Sequence, residues 1–296
     1  MNRLLVTGGS GLLGSSIVKR ARDRFKVATT YFSRKIEFKG VTCIQIDLTD
    51  KRNYDVLDSF APDAIVHCAA LTDVDYCERN SDVARTHNVE MTRQLAALAS
   101  ATDAKFVYVS TDAVFDGTGR QYSEHDDPNP VNVYGETKLM GEQVVSESEA
   151  PSAIIRTNIY GWNITSGQSL AEWMLDELRT GDSLTAFSDA YFTPIYTDSL
   201  AARLLDIVTN DFTGLLHVAG TERCSKLEFA VQLADIFNLP RDLIEPISIG
   251  DIDFDAPRGR DLSLDVTRAE ELFGRSLPTV RGGLENMKAD RKASDY

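Results

Sequence analysis

Tyr134 and Lys138 stand four residues apart, in the order Tyr-x-x-x-Lys. On a helix that spacing puts a phenol and an ammonium on one face. A phenol with its ordinary pKa of about 10 exchanges protons poorly at pH 7, and a nearby cation is expected to lower it. Such a pair can protonate a carbonyl oxygen while a hydride arrives at the carbon. The spacing by itself is not specific, because Tyr31 and Lys35 repeat it. Context separates the two. Tyr31 ends a strand-like run, whereas Tyr134 follows Pro128-Asn129-Pro130-Val131-Asn132, a turn and helix-start signal. A third member is expected at the end of the fifth strand-like run, where Ser110-Thr111-Asp112 offers hydroxyls. Thr111 is the choice for the hydrogen bond to a substrate carbonyl.

The segment Thr7-Gly8-Gly9-Ser10-Gly11-Leu12-Leu13-Gly14 follows the first apolar run and opens the first helical pattern. Strand, glycine turn and helix in that order form the setting of a dinucleotide site. Gly8 is expected to make the tight turn, Gly11 to admit a pyrophosphate and Gly14 to let the helix lie close on the sheet. Ser10, Leu12 and Leu13 complete the loop and offer N–H groups at a helix N-terminus. An NAD-selective site places an acid at the end of the second strand to hold the ribose 2′-hydroxyl. Here Tyr31 leads to Ser33, Arg34 and Lys35, with no acid before Glu37. A hydroxyl and two cations suit a 2′-phosphate, so NADPH is the expected cofactor, with NADH the alternative.

These residues need a scaffold. Apolar, β-rich runs recur at Arg3–Thr7, Lys26–Tyr31, Thr42–Ile46, Ala64–His67, Lys105–Ser110 and Ser152–Thr157. They read as strands covered on both faces. Helical spacing lies between them at Leu12–Arg24, Val83–Ser100 and Tyr134–Glu149. The alternation predicts an α/β fold, a Rossmann-type doubly wound parallel sheet over residues 1–157. Residues 158–296 read as a smaller mixed α/β C-terminal substrate lobe, with helices near Leu170–Thr180, Asp198–Thr209, Ser225–Phe237 and Thr267–Phe273. The helix near 197–209 is expected to pack back on the first part. The polar tail Lys288–Tyr296 is expected to fray.

The chain has 296 residues, 31 basic against 45 acidic, for a net charge of −14. Long-range repulsion then argues against nucleic acid and anionic membranes as partners. Positive potential should gather locally at the glycine-loop helix, Arg34-Lys35 and Arg258-Arg260. Four cysteines and four histidines show no metal-ligand spacing. His67 and His217 lie in apolar runs and read as structural. Without a disulfide framework, a signal-peptide pattern or a run of ~20 apolar residues, the expected location is the cytoplasm.

Further stretches carry a resemblance. They are Cys68-Ala69-Ala70-Leu71-Thr72-Asp73-Val74-Asp75, Ser110-Thr111-Asp112-Ala113-Val114-Phe115-Asp116-Gly117 and Tyr134-Gly135-Glu136-Thr137-Lys138-Leu139-Met140-Gly141-Glu142. Arg156-Thr157, Thr193-Pro194 and Ala256-Pro257-Arg258 continue it. Together, over residues 3 to about 265, the chain resembles the dTDP-4-dehydrorhamnose reductase family of extended short-chain dehydrogenases and reductases. The resemblance implies reduction of a 4-keto group on a nucleotide-linked 6-deoxysugar, most directly dTDP-4-dehydro-L-rhamnose to dTDP-L-rhamnose. It puts Thr111, Tyr134 and Lys138 at the catalytic positions, with Lys138 also on the nicotinamide ribose. It sets Asp47 and Leu48 against the adenine and passes Ala69, Ala70 and Thr72 beneath the cofactor, with Ser110 close by. Thr111, Asp112, Asn158, Trp162 and Arg258 become the candidate substrate contacts, Arg258 or Arg260 for a diphosphate. Two aromatic positions of the family differ: Ala113 replaces a tyrosine, and Asn158-Ile159 stand where a tryptophan is usual. Some family members place a divalent cation at a subunit contact, and no such site is visible here. A homodimer is compatible with this reading, although the sequence itself does not set the oligomeric state.

Two other readings share the fold. One is a nucleotide-sugar epimerase or dehydratase with a permanently held NAD. The missing acid after the second strand weighs against it. The other is a non-catalytic NADP-binding regulatory subunit, resembling the β subunit of methionine adenosyltransferase.

Overall fold

The computed structural model describes residues 2–165 and 167–294. Seven strands form one parallel sheet: β1 (Arg3–Thr7), β2 (Lys26–Tyr31), β3 (Thr42–Gln45), β4 (Ala64–His67), β5 (Lys105–Val109), β6 (Ser152–Arg156) and, much later, β11 (Gly214–His217). Their order is β11-β6-β5-β4-β1-β2-β3. The expected doubly wound α/β class is therefore the observed one. All strands point the same way, but the order of connection reverses between β1 and β4, which opens a crevice at their carboxyl ends, the usual ligand site of such sheets.

Both faces of the sheet are covered, which explains why its strands read as continuous apolar runs rather than alternating ones. One face packs under α1 (Leu12–Ala21) and α8 (Thr197–Thr209), with Ile17, Val18, Leu200 and Leu204 in a common core with Leu4 and Val6. Arg20 and Asp198 form an ion pair between these two helices. The other face packs under α2 (Asp55–Phe60), α5 (Met91–Thr102) and α6 (Val133–Ser146), around Leu57, Leu95, Phe106 and Tyr108. Two short helices, α3 (Val74–Arg79) and α4 (Ser81–Arg85), precede α5.

The helical pattern read over Val83–Ser100 is not one regular α-helix. A π-helical turn, Thr86–Glu90, joins α4 to α5. The turn coincides with buried Asn88, whose side chain is fully committed. Its Oδ1 accepts from Leu71 N (2.9 Å), while Nδ2 donates to Leu71 O (3.0 Å) and Thr137 Oγ1 (3.1 Å). A single widened turn aims the amide at two other segments, a frequent use of π-turns.

The second lobe is built from paired short strands and three helices. β7 (Ile159–Tyr160) pairs with β10 (Ile195–Tyr196), β8 (Leu184–Phe187) with β13 (Ile244–Ile247), and β9 (Tyr191–Phe192) with β12 (Cys224–Ser225). Helices α7 (Leu170–Thr180), α9 (Lys226–Phe237) and α11 (Val280–Ser294) enclose a core of Tyr160, Leu175, Phe192, Phe229 and Leu284. A seven-residue helix, α10 (Thr267–Phe273), lies before α11. Where the sequence reads as a polar tail from Lys288, helix α11 continues. Met287 is buried, Asp290 Oδ2 accepts from Tyr196 Oη (2.6 Å), and α11 runs to Ser294. Of that tail, residues 295 and 296 lie outside the described residues. No described helix is long and apolar enough to cross a membrane.

Helix α6 carries Tyr134 and Lys138, and glycines set its depth. A β-carbon at Gly135 would lie 2.2 Å from Ala113 O, and one at Gly141 2.2 Å from Tyr108 Oη. Gly135→Ala should therefore lift the helix from its seat and cost about 1–3 kcal/mol, the usual range for overpacking. Urea denaturation measures this; an unchanged midpoint would contradict the tight packing.

Candidate active site

The glycine loop is anchored before it turns. Gly9 N donates to Thr30 O (2.8 Å) and Gly8 N to Thr30 Oγ1 (3.2 Å), tying the loop to β2. Gly8 has φ +71, the left-handed region that only glycine enters freely, and its missing β-carbon would touch Ala69 N at 3.0 Å. Gly14 has a different reason from the one expected. Its missing β-carbon would lie 2.2 Å from Gly8 O, so it packs against the loop rather than the sheet. Gly9 is equally constrained, 2.0 Å from Thr29 Oγ1, although the motif spacing does not single it out. Helix α1 begins at Gly11 without a side-chain cap, leaving its first N–H groups for an anion. The cradle and the uncapped helix end fit a dinucleotide pyrophosphate.

One cavity of about 720 Å³ joins this loop to the second lobe. Gly8, Gly11, Leu12, Leu13, Gly14, Ala70, Thr72, Ser110, Thr111, Asp112, Tyr134, Lys138, Asn158 and Arg258 all line it. The remaining expected residues lie elsewhere. Tyr31 is buried at the end of β2. Ser33 is exposed. Arg34 Nη1 donates to Thr165 Oγ1 (3.1 Å), which in turn donates to Ser10 O (3.3 Å). Lys35 is exposed and paired with Glu37 (2.7 Å). Asp47 uses Oδ1 to hold Thr49, Leu48 is buried, and Ala69 lies beside Gly8. Trp162 is turned away from the cavity, and its Nε1 donates to Met287 O (2.7 Å). The shape of α11 decides this, which no local signal around Trp162 contains.

Lys138 and Tyr134 do not interact in the manner expected. Lys138 Nζ donates to Val109 O (2.8 Å) and sits 4.1 Å from the centre of the Tyr108 ring. Burial lowers its pKa to about 7, opposed by the carboxylate of Glu142. Tyr134 is not lowered. Burial pushes it up to about 12, with a hydrogen bond to Thr111 pulling the other way. Desolvation dominates here, and the ammonium of Lys138 is committed to β5. A phenol that keeps its proton is the form able to donate one. Thr111 Oγ1 accepts from Ala113 N (3.1 Å) and donates to Asp112 Oδ1 (3.1 Å). Asp112 Oδ2 accepts from Asn158 Nδ2 (2.6 Å). Burial raises the pKa of Asp112, while Asn158 and Lys226 oppose the rise.

Behind the site lies a buried ion pair. Arg156 Nε and Nη2 fork onto Glu142 at 3.0 and 2.7 Å, and Ser110 Oγ adds a third bond at 2.5 Å. Glu142 lies one turn after Lys138, so the pair fastens α6 to the ends of β5 and β6. The local positive potential expected at Arg258 and Arg260 is largely matched by acids. Arg258 pairs with Asp75 (2.8 Å) and lies over Phe254, and Arg260 is 3.7 Å from Asp189. His67 is satisfied by Thr7 and Thr92 (2.8 and 3.1 Å), and burial brings its pKa down to about 3, so it stays neutral.

Sequence reasoning missed Lys226, Phe254 and Asp75. Lys226 and Phe254 line the cavity. Asp75 reaches it through Arg258. The Ser225-x-x-Glu228 capping box marks the start of α9 in the sequence, yet only the lobe arrangement turns Lys226 toward Asp112.

The buried lysine makes a pH prediction. Lys138 titrates near 7 in the folded protein and near its ordinary value, about 10.4, when unfolded. Between these values the unfolded chain binds more protons, so stability should rise with pH by up to about 1.4 kcal/mol per unit. Denaturation of the cofactor-free protein and of Lys138→Met across that window checks it. Equal pH slopes would contradict the buried, weakly paired ammonium.

Comparison with known proteins agrees with this geometry. The family described as RmlD substrate binding domain matches residues 1–292. A probable low-salt glycan biosynthesis reductase, Agl14 of Haloferax volcanii, is 33% identical over 98% of each chain. Methionine adenosyltransferase 2 subunit beta of Bos taurus is 32% identical over 96% of this chain and 87% of its own. Among solved structures, dTDP-4-dehydrorhamnose reductase of Bacillus anthracis in complex with NADP has a TM-score of 0.85 at 27% identity, covering 98% of this chain and 99% of that one. A family match over residues 1–292, beside solved reductases of the same fold, means that the protein belongs to the dTDP-4-dehydrorhamnose reductase family.

Proposed function

We propose that this oxidoreductase uses NADPH to reduce the 4-keto group of a nucleotide-linked 6-deoxysugar, with dTDP-4-dehydro-L-rhamnose as the leading substrate. The observation that carries the reading is the meeting of Thr111, Tyr134 and Lys138 in the cavity that also holds the glycine cradle. A reduced nicotinamide bound there supplies the hydride. Thr111 orients the carbonyl by donating to its oxygen, a bond it exchanges for the one to Asp112. Tyr134 gives that oxygen its proton, and its elevated pKa keeps the proton available until the oxygen becomes basic. Lys138 lies one turn further along α6 and serves the nicotinamide ribose and the returning proton. Asp112 and Asn158 hold the sugar, and Arg258 holds the diphosphate after sharing or leaving Asp75. Arg34 takes the 2′-phosphate with Ser33, while Lys35 is compensated by Glu37.

NADPH consumption with dTDP-4-dehydro-L-rhamnose tests the reading, and no turnover by the wild type would sink it. Tyr134→Phe should lower kcat by about 10²–10⁴ with little change in the KM for NADPH, the range for a lost general acid. Arg34→Ala should lower kcat/KM for NADPH about 10- to 100-fold and leave NADH almost untouched, as expected for one charge-assisted bond to a phosphate. Equal losses with both cofactors would remove Arg34 from the 2′-phosphate site.

A second reading is favoured by the likeness to methionine adenosyltransferase 2 subunit beta. In it the chain is a non-catalytic subunit and the dinucleotide a structural ligand. Recovery of a stoichiometric synthetase partner, together with absent turnover, distinguishes it from the enzyme.

A further inference from the structure

Lys226 is the first helical residue of α9 and, like Arg258, a cation that the second lobe brings to the cavity, whose lining also includes the end of β5. Its Nζ sits 3.2 Å from the centre of the Phe192 ring, on an aromatic face that fixes its direction without satisfying its N–H donors. No hydrogen-bond acceptor and no carboxylate within ion-pair distance serves that ammonium among the described residues. Asp112 lines the same cavity and is the charge that acts on it most. Asp112 already accepts from Thr111 and Asn158, and a carboxylate has lone pairs for further donors. Burial outweighs the pull of Asp112 and leaves the lysine at about 8, so at pH 7 most of it is still protonated.

A sugar hydroxyl has complementary needs: an acceptor for its hydrogen and a donor for its oxygen. Asp112 and Lys226 offer one of each, beside the residue that meets the ketone. In a 4-keto-6-deoxysugar the two carbons next to the ketone differ. C3 bears a hydroxyl and C5 bears a methyl group. We infer that Lys226, acting with Asp112, is a specificity-determining residue that reads the hydroxyl on the carbon adjacent to the reacting ketone. The inference rests on the reductase reading above. It predicts a preference for the 3-hydroxy substrate, because a 3-deoxy analogue leaves the ammonium without an acceptor and denies Asp112 a further donor.

The test compares kcat/KM for dTDP-4-dehydro-L-rhamnose and its 3-deoxy analogue at saturating NADPH. The wild type should prefer the hydroxylated substrate by about 10- to 100-fold. Lys226→Met keeps a flexible apolar stem against Phe192 and removes the donors. It should lose activity mainly on the hydroxylated substrate and shrink the preference several-fold, with the KM for NADPH unchanged. Lys226→Arg, which restores the charge, should recover part of the preference. A purely structural clasp on Phe192 predicts equal losses on both substrates, and that result overturns the inference. So does a wild-type ratio near one. Absence of wild-type turnover on either substrate overturns the reductase reading itself and this inference with it.

Discussion

The site depends on one buried carboxylate. Glu142 accepts from Ser110 on the segment leaving β5 and takes the fork of Arg156 at the end of β6, while its own helix carries Tyr134 and Lys138. Thr111 follows Ser110 directly, and Asn158 comes two residues after Arg156. Three separate stretches of chain are therefore registered to one another through a single side chain. Removing one partner of such a pair leaves a charge buried without compensation, typically a loss of about 3–5 kcal/mol. The pair is thus a weak source of net stability and a strong constraint on geometry.

Close packing supplies the rest of that constraint. Gly135 and Gly141 let α6 sink onto the turn after Thr111 and onto Tyr108. Asn132 caps the helix through Gly135 N (2.9 Å) and also reaches Pro257 O (2.9 Å) in the second lobe. Asn88 joins the same helix to the loop after β4. The helix bearing the proton donor is held at its start, its middle and its buried face by elements from both lobes.

Burial, more than charge pairing, sets the electrostatics. Tyr134 rises and Lys138 falls because both are desolvated, and the ammonium spends its proton on a backbone carbonyl. The simple picture of a lysine lowering its tyrosine neighbour fails for that reason. For a reductase this suits the chemistry, since the acid must hold its proton until the carbonyl oxygen acquires negative charge.

Much of the architecture is readable along the chain. Six apolar runs, each covered on both faces, mark six of the seven sheet strands within a residue, and the glycine loop and Tyr134-x-x-x-Lys138 mark the cavity from two sides. These are local signals: strand periodicity, a positive-φ glycine, a one-turn spacing. Four matters belong to the tertiary structure alone. They are the seventh strand from Gly214–His217, the turning of Trp162 toward Met287, the matching of Arg258 by Asp75, and the approach of Lys226 to Asp112 across the lobes. Each joins residues tens of positions apart or more, and no periodicity or capping rule acts over such distances. The chain by itself determined the elements and the reacting groups. Which polar groups meet around them was decided by packing, because only the folded chain brings a distant charge close enough in a low-dielectric cavity to matter.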